Sequence, residues 1–142
     1  MELKTRDFGN IEIDTADIIT FEAPIFAFDE YDRFVLLFEE NLGTDITWMQ
    51  SVQEPDLCFI LASRLLTEKE KTAQEVPLDV QEKLGTGEYD KWYMMVVPDG
   101  NIKKSTVNLR APIFINVTER TAGQFLSEED LPVKHPLFKE GE

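Results

Sequence analysis

The sequence is short of the side chains that carry nucleophilic and metal-assisted chemistry. Among its 142 residues there is one cysteine, Cys58, and one histidine, His135. A single cysteine permits no intrachain disulfide and no CxxC metal site. Cys58 sits in the apolar run "DLCFILA", where a free thiol is expected to pack as a small hydrophobe. His135 lies in "VKHPLF" close to two prolines, so a zinc site built from several His and Cys ligands is excluded on count. A Ser-His or Cys-His nucleophile would have to recruit that Pro-flanked tail. The 7 glycines are scattered, with neither GxGxxG nor GxxxxGK[ST] among them, which removes the phosphate-cradling loops. No run approaches the roughly 18 consecutive apolar residues of a membrane span. Met1 to Asp7 alternate charges with Leu3 instead of forming a basic-then-apolar export signal, so a soluble, cytoplasmic protein is expected.

Positive charge is scarce as well. Lys and Arg number 14 against 28 Asp and Glu, a formal charge of −14, and no basic run exceeds Lys103-Lys104. Direct nucleic-acid binding needs a basic face that neutralises phosphates, so it is not expected here. Two readings of the acidity remain: it serves solubility, or it steers the chain toward a basic partner.

What the chain does have is 42% hydrophobic residues, arranged mostly with period two or in short runs bounded by turn residues. That is strand patterning. "ELKTRDFGNIEID" reads as a hairpin turning at Gly9-Asn10 with Leu3, Ile11 and Ile13 inward. "IITF", "YDRFVLLF", "ITWMQSV", "LCFILA", "KWYMMVV", "KSTVNLR", "PIFINV" and "TAGQFL" read as further strands, with a tight turn at "PDGN". One short helix is expected over Pro77 to Gly85, with Leu78 and Leu84 as its apolar contacts and Gly85 as its stop. "LLTEKEKTAQE" reads as helix or loop, and "DEYDRF" as a further candidate helical turn. The sum is a mostly β chain: an antiparallel barrel-like or sandwich single domain over residues 1–142, with one short helical insertion and a frayed tail at 139–142.

Paired carboxylates leave open a small hydrolase needing a divalent metal, although so many acids make chance pairs common. "WMQSVQEPDLCF" is more informative: Trp48 and Met49 look like core, and Glu54-Pro55-Asp56 form a turn that presents two carboxylates. Gln50, Glu54, Pro55 and Asp56 are therefore candidate partner contacts, with Glu119 and Arg120 at another turn, because loops on a rigid sheet are where such proteins carry function. A β-domain with an unrelated protein partner fits the same pattern. In "TVNLRAPIFINVTERTAGQ", Asn108, Asn116 and Gln124 lack a neighbouring His, Cys or base. They read as hydrogen-bond fasteners, with Leu109, Ala111 and Pro112 completing a structural motif around a bend.

"WMQSVQEPDLCFIL", "TVNLRAPIFINVTERTAGQ" and "LPVKHPLF" resemble, in order and spacing, the FliW flagellar assembly factors: an LQS-like strand, an acidic-Pro turn, an NL-x-AP-I-x-IN block, a Gln shortly after, and a [KR]HPL tail. The resemblance implies a non-enzymatic, barrel-like regulator, monomeric when free and without cofactor. It implies two alternative partners: flagellin, and CsrA, the RNA-binding repressor of flagellin synthesis. One departure stands out. The family's Gly-Ile-Pro-Gly-Phe-like turn is replaced by Ala23-Pro24-Ile25-Phe26-Ala27-Phe28, and the loss of glycine predicts ordinary backbone angles there.

Overall fold

The computed structural model describes residues 1–63 and 76–138. The polar stretch "LLTEKEKTAQE" and the tail 139–142 lie outside the described residues. Eleven strands and one α-helix are described, with short 3-10 turns between them. β1 (Glu2–Thr5) and β2 (Gly9–Glu12) form a separate antiparallel hairpin. β3 (Ile19–Ala23), β4 (Arg33–Leu37), β5 (Ile46–Ser51), β6 (Cys58–Ser63) and β7 (Tyr89–Val96) run up and down as an antiparallel meander. β8 (Thr106–Val107), β9 (Ile113–Asn116), β10 (Thr121–Gln124) and β11 (His135–Pro136) follow.

Closure depends on β7. On one edge it pairs with β6, from Trp92 to Met95. On the other it pairs first with β9, through Tyr89 to Trp92, and then with β8, through Met95 and Val96. β9 pairs with β10, and β10 with β3, which completes a ring of seven strands, so the fold is a barrel and not a sandwich. The β3–β10 pair is parallel, in place of the fully antiparallel arrangement expected from hairpin patterning. The reason is parity: a closed ring with an odd number of strands cannot alternate direction all the way round.

Alternation along each strand sends one set of side chains into the ring. Phe34, Met49, Leu61, Trp92, Ile113 and Ile115 meet there with Ile19, Phe21 and Ile25, and Phe21 and Phe34 pack edge-on with centroids 5.3 Å apart. The opposite set is covered in patches. Ile46, Ala62, Tyr93, Met95 and Val107 form a second cluster under Leu109 and Leu137. Val80, Leu84 and Phe114 form a third beneath the helix, α1 (Leu78–Leu84).

Several local expectations shift. The first hairpin turns over Arg6-Asp7-Phe8, not at Gly9-Asn10. Gly9 takes φ 68° opposite Thr5, and the Thr5 hydroxyl donates to the Gly9 carbonyl and accepts from Phe8 N–H, both at 2.8 Å. Leu3 is buried there, with Ile11 and Ile13 half-buried. "DEYDRF" is a turn that enters β4 at Arg33, not helix. "KSTVNLR" keeps only two strand residues, because Asn108 turns the chain: its Oδ1 accepts from Arg110 N–H (3.1 Å) and Ala111 N–H (3.2 Å). α1 stops at Gly85, at φ 88°, as expected, but Leu78 points to solvent, and Val80 with Leu84 makes the buried face.

Candidate partner-binding surfaces

The β5–β6 turn is assembled from within. Gln50 is not part of an exposed patch: it is 0% exposed, and its Nε2 donates toward the carbonyls of Ser51 (3.1 Å), Pro55 (3.2 Å) and Leu57 (3.2 Å). A buried strand amide facing a tight turn binds the turn's carbonyls because nothing else there can satisfy them. Ser51 Oγ accepts from the N–H groups of Gln53 and Glu54, which fixes the other side of the turn. The fixed turn leaves Pro55 and Asp56 exposed and Glu54 half-buried.

The N-terminal hairpin docks beside this turn. Arg6 N–H donates to the Pro55 carbonyl (3.0 Å), and Phe8 packs edge-on against half-buried Trp48 at 5.6 Å. Asp7 therefore joins Glu54 and Asp56 in the same region, with the Arg6 guanidinium bonded to Asp7 and held above its usual pKa by that bond. Cys58 lies beneath. Its thiol is pushed up to about 11, first by burial and then by the Asp7 charge. That makes it a poor nucleophile at neutral pH.

Glu119 and Arg120 are exposed in the turn between β9 and β10. β10 runs parallel to β3, and β5, two antiparallel steps from β3, runs in the same direction; the Glu54 turn follows the end of β5 and this turn precedes the start of β10, so the two lie at opposite ends of the barrel. Asn116, fully buried, organises it: Oδ1 accepts from Thr118 and Glu119 N–H (both 3.1 Å), while Nδ2 donates to the carbonyls of Leu84 (2.9 Å) and Thr86 (3.2 Å). One amide thus ties the end of α1 to the end of β9. Arg120 takes φ 56° and reaches Asp17 at 3.8 Å, a solvent-exposed pair.

Gln124 joins three segments. Its Oε1 accepts from Phe26 N–H (2.8 Å), and its Nε2 donates to the Ala111 carbonyl (3.2 Å). The loop it holds overturns the expectation of ordinary backbone angles: Ala27 sits at φ 71°, with Phe28 N–H closing onto the Ile25 carbonyl at 2.9 Å. The turn demands positive φ at its third residue whether or not glycine is present. The anchored loop leaves Phe26 half-exposed at the rim.

A groove of about 710 Å³ opens between the start of α1 and the segment that follows β10. Phe114 forms its floor beside Pro112 and half-buried Phe125, and Leu78 and Leu126 project into it at 76% and 63% exposure. Sequence reading missed it. The available signal was helical spacing, since Val80 and Leu84 share a face that excludes Leu78. Among the described residues no group of three or more His, Cys, Asp or Glu is placed to hold a metal ion, and no helix is long and apolar enough to cross a membrane.

Fold and surfaces together define a small, acidic seven-stranded β-barrel whose exposed features among the described residues include fixed turns and a groove of mixed polar and apolar lining. The family model described as FliW protein matches residues 2–137, and the chain belongs to the FliW family. It is 34% identical to a flagellar assembly factor FliW of Clostridium botulinum strain 657, over 99% of both chains. It is 32% identical to one from Caldicellulosiruptor bescii, over 96% of this chain and 90% of that one. Its fold is similar to a crystal structure of the flagellar assembly factor FliW, with TM-score 0.84 and 32% identity over the full length of both.

Proposed function

We propose that this protein is a cytoplasmic flagellar assembly factor that acts by binding two proteins in alternation, CsrA and flagellin. The observation that carries the reading is the match of residues 2–137 to the FliW family, with relatives called flagellar assembly factors along the whole chain. In this reading, flagellin held in the cytoplasm occupies the protein and leaves CsrA free to repress. Export of flagellin releases the protein, which then binds CsrA and lifts repression.

The physical chemistry supports such a switch. A charge of −14 draws a basic RNA-binding protein quickly and, once docked, places negative potential near the RNA site. Screening confines that field to about 8 to 10 Å at physiological salt, so the effect requires close docking. Exchange follows mass action: free protein at about 100 times its dissociation constant shifts the CsrA equilibrium by roughly 2.7 kcal/mol. The turn with half-buried Glu54 and exposed Pro55 and Asp56, and the turn at Glu119 and Arg120, are the proposed contacts.

The test is a pull-down with purified CsrA and monomeric flagellin, each added as competitor of the other. Mutually exclusive binding is expected. Failure of both to bind at micromolar concentration would reject the proposal.

A further inference from the structure

We infer that the N-terminal hairpin, residues 1–13, is a hinged flap over the outer wall of β5 and β6, one that opens while the barrel stays closed. Among the described residues β1 and β2 pair with each other alone, and the seven-strand ring is complete without them. One hydrogen bond among those residues joins the hairpin to the barrel, from Arg6 N–H to the Pro55 carbonyl at 3.0 Å. The other anchors are apolar: Phe8 edge-on to Trp48, and the face of β1 on which Leu3 is buried. The Arg6–Asp7 ion pair lies within the hairpin and is exposed, so it does not hold the flap down. The chain leaves the hairpin through Asp14 to Asp17, all exposed, where the 3-10 turn Thr15–Asp17 has no buried residue. A short exposed link of this kind is where a hinge absorbs backbone rotation.

The wall beneath is poorly satisfied while it is covered. Met49 and Leu61 face into the ring, so Trp48, Gln50 and Cys58 face outward under the hairpin, with Gln50 and Cys58 directly opposite in the β5–β6 register. Trp48 Nε1 and Gln50 Oε1 are buried without a hydrogen-bond partner among the described residues. Each carries its desolvation cost while the hairpin is down and regains hydrogen bonds to solvent when it lifts. That cost opposes the contacts of Phe8 and Leu3, so the hairpin closes more weakly than the ring. Its opening also reaches the neighbouring turn. The Pro55 carbonyl accepts from both Arg6 N–H and Gln50 Nε2, the latter at 3.2 Å, and lifting the hairpin removes the first of these donors. It also takes Asp7 away from Glu54 and Asp56. The flap therefore sets the shape and charge of this acidic end of the barrel, whichever protein meets it.

Hydrogen exchange followed by NMR tests the flap on the unaltered protein, with Arg6 N–H as the direct reporter of closure. An undocked two-stranded hairpin is marginal in water, so Ile13 N–H, bonded to the Met1 carbonyl, should open with it. Both amides should be at least about tenfold less protected than those of β5 and β6. Their protection should stay flat in low urea, because opening of the hairpin alone exposes little surface. Equal protection with the same urea dependence would mean that hairpin and barrel open together, and overturns the proposal. Phe8→Ala should lower Arg6 protection at least about tenfold further and leave β5 and β6 unchanged, whereas an equal loss in both overturns it. In that variant Cys58 should also react faster with a disulfide reagent at one fixed pH, and an unaltered rate overturns the placing of the flap over this wall.

Discussion

At the scale of single residues, the informative positions are those where a side chain or backbone is held against its preference. Ala27 occupies the left-handed region, φ 71°, where a Cβ costs about 1 to 2 kcal/mol. Glycine removes that strain but loosens the unfolded chain, so Ala27→Gly should stabilise by about 0.5 to 1 kcal/mol in urea unfolding. Asn116 bonds four backbone groups from full burial, and Asn116→Ala should cost about 2 to 3 kcal/mol by the same measurement, because those groups lose their partner. Cys58 predicts a pH effect. The folded thiol keeps its proton up to about 11, whereas an unperturbed thiol releases it near 9.0. The unfolded state therefore loses its proton first, and stability falls as pH rises through that window. Iodoacetamide labelling of the folded protein should stay slow until the pH approaches the upper limit. The amides at 108, 116 and 124 were legible as fasteners of a bend because nothing near them in sequence could make them chemical. Gln50 was not legible, since the Pro55 turn that covers it is held in place by Arg6, far away in sequence.

At the scale of elements, strand existence followed from period-two patterning and helix position from Pro77 and Gly85. What failed were features set by distant contacts. β8 shrinks to Thr106–Val107 because Asn108 captures the next turn, and His135–Pro136 becomes a strand only because Val107 and Thr106 lie opposite it. Neither contact leaves a periodic trace. The parallel β3–β10 pair has its own requirement. A Cβ on Gly123 would stand 2.8 Å from the Ala23 Cβ and 2.6 Å from the Phe125 ring, and Ala23 cannot swing aside. Gly123→Ala should therefore destabilise the protein by about 1 to 3 kcal/mol, read as an earlier thermal midpoint. Hydrogen exchange should localise the loosening to β3 and β10.

At the scale of the whole molecule, composition foretold the class of fold but not its closure, because barrel and sandwich share the same alternation and differ in whether β7 reaches β9. The net charge of −14 makes a further prediction. Like charges spread over the barrel repel one another more in the compact state, so added sodium chloride should raise the melting temperature, and the same salt should slow association with a basic partner. The odd ring also governs the order in which the protein can be made. Its last seam joins β3 to β10, and the Phe26–Gln124 bond beside that seam spans 98 residues. During synthesis the β3–β7 meander can form as it emerges, but its first strand keeps a bare edge until Gln124 has cleared the ribosome. The nascent chain is therefore an open sheet for most of its synthesis, and a ribosome-stalled chain ending before β10 should be cut by protease where the released chain resists.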